Sequence, residues 1–413
     1  MLRTVSSSDR KAVDALLSPT RVRDQAIDRR VAKIIEAVRT DPERALRRYA
    51  TELDGLTGPI EIPREQWRER ASGVPPAVRA ALRRAAQNIR KVARAQVPRA
   101  FRATVSPGVT VEQRVIPLDR VGCYVPGGLY PLPSSLLMTA IPARIAGVRE
   151  VIAISPRPHP AVIAAALEAG IDRFFQIGGA HGIAAMAYGT GLVPRVDKIV
   201  GPGNKWVSAA KAQVSGDCAI DFYAGPTEIL IVAVKGPSDW IAADLIAQAE
   251  HDPDARAVLI TPSQRLAAQV RRDVERLAPT DGPAVLSLKA HGGIIVTSSL
   301  QEAMALANSA APEHLVVESE VLARQVRCAG AVFVGRWTAQ VAGDYAIGSN
   351  HVLPTAGAAR FRGGLNAADY VRLVSVQRVS KAGLMRIGRT VTTLARAEGL
   401  EGHARSIDTR MMK

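Results

Sequence analysis

The sequence predicts an α/β fold built from two Rossmann-like domains with parallel sheets. Short apolar strands alternate with helices in two series, one from about residue 119 and one from near Glu228. Strands separated by helices in this way form parallel sheets whose two faces are both covered. A chain of 413 residues, 47% of them hydrophobic, can bury more than one such core. Two series therefore predict two domains with a cleft between them.

Each series is defined by its apolar runs. The predicted strands of the first are RVGCYVPGG, EVIAISP, RFFQIGG and DKIVGPGN, and its helices are SSLLMTAIPARIAG, AVIAAALEAG and AHGIAAMAYG. The predicted strands of the second are EILIVAV, RAVLITPS, GGIIVTS and AVFVG, and its helices are DWIAADLIAQAEH, SQRLAAQVRRDVERL, LQEAMALAN and VLARQVRCAG.

The two ends of the chain have a different pattern. Residues 1 to about 100 have mostly helical spacing, and 103–121 are strand-like. The last fifty residues predict polar helices without a strand, and we expect them to pack on another subunit. The expected division is a helical N-terminal segment (1–20), a discontinuous first Rossmann-like domain (21–123 and 228–362), a second one (124–227) and a helical C-terminal extension (363–413).

Composition argues against several classes of protein. The net charge of +16 allows a nucleic-acid partner, but the basic residues are scattered without aromatic interleaving, which favours a solvated surface. Without a run of eighteen apolar residues or a signal peptide, we expect no membrane association. Cys123, Cys218 and Cys328 are far apart and form no CxxC pair. This usage fits a reducing cytoplasm rather than a disulfide framework.

A polar stripe on the predicted helix 240–251 is the first candidate site. Asp244, Gln248 and His251 are spaced i, i+4, i+7, opposite the apolar face. Gln248 and His251 could bind one metal ion, since side chains at i and i+3 meet. Taken alone, the stripe is more typical of an ordinary solvent-facing surface than of a site.

Other polar residues stand in loops or at element ends. Glu313 and His314 are adjacent in APEHL, a pairing that can exchange protons and orient water. Asp344 lies between glycines in a loop after a predicted strand, where α/β proteins often place sites. His403 and Glu398 lie in the tail. An amide oxygen, two imidazoles and a carboxylate would suit zinc, but spacing alone does not select this set.

Two glycine turns follow predicted strands and precede predicted helices. They are VPGG at 125–128 and GPGN at 201–204, and their amides could face a phosphate. Neither is a GxGxxG with a downstream acidic residue, so the nucleotide signal of the turns is weak.

The motifs taken together resemble the histidinol dehydrogenase family. GPGNKWVSAAK, IDFYAGPTEILIVA, AADLIAQAEHDP, ANSAAPEHL, AGDYAIGSNHVLPT and EGLEGHARSI occur in that family's order, and the resemblance runs from about residue 20 to the end. It implies a homodimer in which zinc is bound by Gln248, His251, Asp344 and, from the partner subunit, His403. It also implies that Glu313 and His314 are the acid–base residues.

The resemblance further implies the ligand contacts. Glu398 matches a residue that binds the substrate amino group from across the dimer interface. The implied substrate contacts are Thr227, Gln248, His251, His314, Asp344, Glu398 and His403, and the implied NAD contacts are Tyr124, His181 and Asn204. Two positions depart from the family pattern: His181 replaces a usual Gln, which bears on NAD affinity, and Thr227 replaces a usual Ser. The PEHL to GDY segment is also a few residues short.

The implied reaction is two hydride transfers to NAD, from L-histidinol through the aldehyde to L-histidine. In this scheme His314 accepts the alcohol proton, and Glu313 then activates water for the second oxidation. A rival function is the oxidation of another small alcohol, such as a sulfonated diol, since AGPTE and the GGLY turn are features of relatives with that activity. Retention of Glu398, His403 and PEHL favours histidinol.

Overall fold

The computed structural model describes residues 2–18, 24–127, 131–223 and 225–412. Its strands, in chain order, are β1 Arg3–Ser6, β2 Phe101–Ser106, β3 Val109–Pro117, β4 Arg120–Tyr124, β5 Glu150–Ile154, β6 Arg173–Phe175, β7 Lys198–Val200, β8 Ala219–Ile220, β9 Glu228–Val232, β10 Arg256–Thr261, β11 Gly293–Val296, β12 His314–Val317, β13 Ala331–Val334 and β14 Val371–Val379.

The α-helices connect and cover these strands. They are α1 Arg10–Leu17, α2 Gln25–Thr40, α3 Pro42–Asp54, α4 Trp67–Arg70, α5 Pro76–Gln96, α6 Pro133–Ala146, α7 Pro160–Ala169, α8 Gly179–Tyr188, α9 Lys205–Val214, α10 Ser238–Ala249, α11 Gln264–Leu277, α12 Pro283–Ala290, α13 Leu300–Ala310, α14 Glu320–Ala323, α15 Gln340–Tyr345, α16 Lys381–Ala397 and α17 Glu401–Met411.

Two parallel sheets form the framework, as the two alternating series predict. One sheet has the strand order β1-β11-β10-β9-β12-β13, and the other has the order β6-β5-β4-β7-β8. All strand pairs within both sheets are parallel. Separate apolar clusters lie against the two faces of each sheet, because every strand side chain needs a covering helix. The α/β class with parallel sheets is confirmed.

The N-terminal region differs from the expected division in two ways. Residues 3–6 form β1, which pairs with β11, so the segment 1–20 is not only helical. In the segment 21–123, expected with 228–362, β2 and β3 join β14 in a separate sheet, and the described helices and β4 belong with the five-stranded sheet. Helices α2 and α3 pack on that sheet, α5 packs on α6, and β4 is its central strand. An apolar helix face requires a partner but does not specify which sheet provides it.

The C-terminal region was expected to be wholly helical, and this prediction is wrong. Residues 371–379 form β14, which pairs antiparallel with β3, and β3 pairs with β2 in a small third sheet. Most side chains of β14 are exposed, so its sequence lacks the alternation of buried and exposed positions that marks a strand. Beyond it, α16 and α17 pack on each other, with Ala395 and Ala404 buried.

Within the described ranges, every helix is too short or too polar to cross a bilayer.

Candidate active site

Glu313 and His314, the predicted acid–base residues, lie at the amino end of β12, next to the amino end of β9 in the six-stranded sheet. His314, the first residue of β12, is paired in register with Ile229 of β9, so Glu313 lies beside the start of β9. Thr227 and Glu228 stand at that start. The carboxyl end of α10 brings Gln248 to the same place through its bond to Thr227. The cluster therefore does not occupy the carboxyl edge of the sheet, where α/β proteins usually place their sites.

Glu313 is buried and held by two donors. Its Oε2 accepts from the Thr227 hydroxyl at 2.5 Å and from the Glu228 backbone N–H at 2.9 Å. Burial raises the pKa of Glu313 to about 8, although these two hydrogen bonds oppose the rise; the Asp344 charge adds to it and His251 opposes it. A carboxyl group with this pKa can both accept and return a proton near neutral pH.

His314 is oriented as a base. Its Nδ1 lies 3.0 Å from the backbone oxygen of Glu228, and since a carbonyl only accepts, Nδ1 carries the hydrogen. Its Nε2 is then the unprotonated nitrogen, and it is buried without a hydrogen-bond partner in the described part of the chain. Burial lowers the pKa of His314. The ring is thus held neutral, with a lone pair available for a substrate proton.

Three of the four predicted zinc ligands lie around this pair. Gln248 is fully buried; its Nε2 donates to Thr227 Oγ1 at 2.6 Å, and its Oε1 has no hydrogen-bond partner among the described residues. Asp344 is also buried, and its Oδ2 accepts from Gln340 Nε2 at 2.9 Å. His251 is exposed, with Nδ1 3.2 Å from the Ala247 backbone oxygen, which leaves its Nε2 free of that bond.

The tail residues do not join this cluster within one chain. His403 on α17 and Glu398 at the end of α16 are both exposed. Among the described residues, no group of three or more His, Cys, Asp or Glu side chains is close enough to hold a metal ion. His403 is therefore not beside both His251 and Asp344 of its own chain.

Several supporting residues were not predicted from the sequence. Glu228 is buried and pairs with Arg256 at 3.3 Å, and burial raises the pKa of Glu228 to about 7. The sequence signal for Glu228 was its position as a glutamate at the start of an otherwise apolar strand. Gln340 had no such signal. His351, which stood out in its loop, has Nδ1 3.0 Å from the Asp344 backbone oxygen and so supports that loop.

The second predicted region lies at the carboxyl edge of the five-stranded sheet. Tyr124 ends β4 and is buried, and burial raises its pKa to about 12 against a backbone hydrogen bond from Gly179. Gly201 follows β7 with φ of +119°, and a Cβ there would lie 2.2 Å from the Tyr124 backbone oxygen, so only glycine fits. Asn204 caps α9 by accepting from the backbone N–H groups of Trp206 and Val207 at 3.0 and 3.2 Å.

His181 lies in the interior of the domain and not on a surface that a ligand could reach. It is completely buried in the first turn of α8, and its Nε2 lies 2.8 Å from Asp54 Oδ2. The structure places Tyr124, Asn204 and His181 on elements that meet at one sheet edge. It leaves Asn204 exposed and encloses the other two.

Two parallel sheets, with a buried imidazole beside a carboxyl group at the edge of one and glycine turns at the edge of the other, are the features of an α/β enzyme. Comparison with known proteins gives the family. The histidinol dehydrogenase family model matches residues 18–411. The chain belongs to the histidinol dehydrogenase family and is an oxidoreductase.

Individual relatives cover nearly the whole chain. A histidinol dehydrogenase from Thermus thermophilus is 46% identical over 395 residues, covering 94% of this chain and 95% of that protein. One from Pseudomonas syringae pv. syringae is 43% identical over 414 residues, covering 97% of this chain and 92% of that protein. The crystal structure of histidinol dehydrogenase from Elizabethkingia anophelis superposes with a TM-score of 0.94 at 30% identity, covering 100% and 98% of the two chains.

Proposed function

We propose that this chain oxidises L-histidinol through L-histidinaldehyde to L-histidine, the last step of histidine biosynthesis, using NAD and zinc. The observation that carries the proposal is the buried, unpartnered Nε2 of His314, held beside Glu313 in a chain of this family. An alcohol oxidation needs a base for the hydroxyl proton, and this nitrogen is the available one.

The residues present fit a zinc ion. Gln248 Oε1 is a buried acceptor without a donor, which is costly unless a ligand completes it. His251 offers a ring nitrogen and Asp344 a carboxylate, so nitrogen and oxygen ligands suited to zinc come from one chain. Bound zinc would supply a fixed positive charge that holds the substrate imidazole and amine in place.

The fourth ligand, His403, is proposed to come from the partner subunit of a homodimer, together with Glu398 for the substrate amino group. The support is that both side chains are exposed on the terminal helices and His403 does not complete the cluster of its own chain. Zinc sites that bind substrate commonly have three protein ligands or more, so a donor from a second chain suits the arrangement.

The edge of the five-stranded sheet fits NAD. Helix α8 begins at Gly179, and its N-cap residue, Gly178, has no side chain to cap it, so the N–H groups of the first turn are available to an anionic group such as a pyrophosphate. Tyr124 and Asn204 are proposed contacts at the same edge. Bound NAD would accept the hydride released from the substrate carbon in each oxidation.

The chain's own residues supply the proton chemistry. In the first oxidation, His314 Nε2 takes the hydroxyl proton as hydride leaves the alcohol carbon, which gives the aldehyde. Glu313, as the carboxylate, then takes a proton from the water that adds to the aldehyde, while His314 gives its proton to the aldehyde oxygen, so that the hydrate forms and Nε2 is free to accept again. His314 takes a hydroxyl proton from the resulting hydrate as the second hydride leaves, which gives the carboxylate. Keeping the aldehyde enclosed between these steps limits its loss.

The proposal includes a cytoplasmic location and no nucleic-acid partner. Cys123 and Cys218 are buried free thiols and Cys328 is a half-buried one, which suits a reducing compartment. The basic side chains are those of a solvated surface.

An absorbance assay for NADH tests the activity. The purified zinc-loaded chain is given L-histidinol and, separately, a panel of other alcohols that includes sulfonated diols. We expect two NADH formed per L-histidinol and none, or far less, with the other substrates. If kcat/KM were higher for a sulfonated diol than for L-histidinol, the diol would be the substrate. The absence of NADH with every alcohol would reject the proposal. His314→Ala, prepared alongside, controls for contaminating dehydrogenases.

A further inference from the structure

A buried pair of side chains holds the glycine turn that begins α8. Asp54 Oδ2 accepts from the Gly178 backbone N–H at 2.9 Å and lies 2.8 Å from His181 Nε2. Asp54 is 9% exposed and His181 is fully buried. Because a carboxylate only accepts, the imidazole donates through Nε2, and one carboxylate oxygen joins the turn to the first turn of the helix.

This turn has little intrinsic rigidity of its own. Gly178 and Gly179 are adjacent, and Gly179 has φ of +55°. A Cβ on Gly178 would lie 2.5 Å from Pro156 Cγ, so a stiffer residue is excluded by the close approach of that loop. Two glycines sample many conformations, and their conformation must be fixed by outside contacts. Asp54 with His181 provides such a contact.

The side chain of His181 cannot contact a ligand directly in this structure. Its side chain has no exposed area, and its unpartnered Nδ1 faces Gly179, whose built Cβ would lie 3.4 Å away. Its action on a ligand at the α8 N-terminus must therefore pass through the turn. We propose that His181 is a positioning residue: through Asp54 it holds the Gly178–Gly179 turn in the conformation that binds NAD.

The neighbouring turn at Gly201 is held by a similar pair of buried side chains. Asp221 Oδ2 accepts from the Gly201 backbone N–H at 2.8 Å, and the buried Lys211 pairs with Asp221 and donates to the Gly201 oxygen at 2.9 Å. The turns at Gly178–Gly179 and at Gly201 are thus each held by a buried carboxylate and a basic side chain. The inference rests on the proposed function, since it assigns the α8 turn to NAD.

The test is a double-mutant cycle read by NAD binding. Isothermal titration gives the Kd for NAD of the unaltered chain, Asp54→Asn, His181→Asn and the double variant. An asparagine side chain at position 181 is too short to reach Asp54, and an amide at position 54 lacks the negative charge that strengthens both hydrogen bonds. Each single variant is expected to weaken NAD binding about tenfold, the size of effect that follows the loss of a charge-assisted hydrogen bond. The double variant is expected to bind NAD no more weakly than either single variant, because each single substitution already breaks the same Asp54–His181 contact.

Matched variants separate positioning from loss of stability. His181→Gln keeps a donor near the Nε2 position and should retain the Kd within about threefold. Ile163→Ala opens a cavity in α7 of the same domain and should lower the melting temperature without changing the Kd. Hydrogen exchange at Gly178 should quicken in both asparagine variants, which reports on the turn in the absence of any ligand.

The outcomes distinguish the inference from the proposed function. If the unaltered chain binds no NAD, both fail. If it binds NAD and Asp54→Asn binds equally well, or if the two single effects add in the double variant, His181 does not act through Asp54 and only the inference is overturned. Weakening by Ile163→Ala to the same extent would assign the effect to general stability and would also overturn it.

Discussion

Thr227 joins Gln248 to Glu313 through a single hydroxyl group. Its Oγ1 donates to Glu313 Oε2 at 2.5 Å and accepts from Gln248 Nε2 at 2.6 Å. Because the amide nitrogen is engaged in this way, the amide oxygen of Gln248 is the atom left for a metal ion. The hydroxyl of Thr227 therefore orients Gln248, a proposed zinc ligand, and at the same time holds Glu313, a proposed acid–base residue, in place.

Replacing this hydroxyl should weaken metal binding and catalysis together. Thr227→Val keeps the shape but removes both hydrogen bonds and leaves Gln248 free to rotate. We expect zinc affinity, measured by competition with a chromophoric chelator, to fall about tenfold or more. Thr227→Ser retains the hydroxyl and serves as the matched control with near-normal affinity. Equal zinc affinity in the valine and serine variants would mean that the hydroxyl does not orient the ligand.

Metal removal should abolish turnover. The buried Gln248 Oε1 and Asp344 carboxylate point to a ligand set that needs a cation. Chelation should stop NADH formation from L-histidinol, and added zinc should restore it. Full activity in a sample shown to be metal-free by elemental analysis would reject the zinc requirement.

Replacing His314 and replacing Glu313 should affect the two oxidation steps differently. His314→Ala removes the base of both oxidations and should slow alcohol and aldehyde oxidation alike, by roughly 10²–10⁴-fold. Glu313→Gln should spare the alcohol step more than the aldehyde step, which needs activated water. Initial NADH rates with each substrate supplied separately provide the comparison, after zinc content has shown that each variant is folded. Equal losses on both substrates for Glu313→Gln would contradict the division of roles.

Mixed subunits should recover activity if sites are shared. The exposed His403 on α17 is proposed to complete the site of the partner subunit. His251→Ala and His403→Ala dimers should each be inactive, whereas a hybrid has one doubly altered site and one intact site. Activity should therefore reappear on mixing under conditions where subunit exchange is demonstrated. Persistent inactivity of confirmed hybrids would argue for sites built within one chain.

The metal-free protein should lose stability as pH rises through neutrality. The pKa of Glu313 is raised by burial from 4.5 to about 8, so the folded state binds more protons than the unfolded state between these values. Stability from this group is fully present below about 4.5 and is lost as pH rises to about 8. Glu313→Gln should flatten the fall in melting temperature over this window. The exposed Glu65→Gln is the control, and equal slopes in all three proteins would contradict the prediction.

Local pattern in the sequence was enough to predict the two parallel sheets, whereas the candidate site residues were selected by the resemblance to a family. Alternating apolar strands and helices predict two parallel sheets because each strand must be covered on both faces. The motifs around Gln248, Glu313, His314 and Asp344 belong to one family, and the structure brings these four side chains to one place, as the charge interactions of Glu313 indicate.

Tertiary structure alone decided which surfaces meet. Helices α2 and α3 pack on the five-stranded sheet, although their amphipathic pattern fits either sheet, and this packing brings Asp54 to His181 across 127 residues of chain. Strand β14 forms through pairing with β3, which its own exposed side chains do not reveal. The proposed acid–base pair likewise lies at the amino end of β12, and the register of β12 with β9 brings it beside Thr227 and Glu228. The physical reason is that periodicity records whether a residue is buried, whereas its partner depends on contacts distant in sequence.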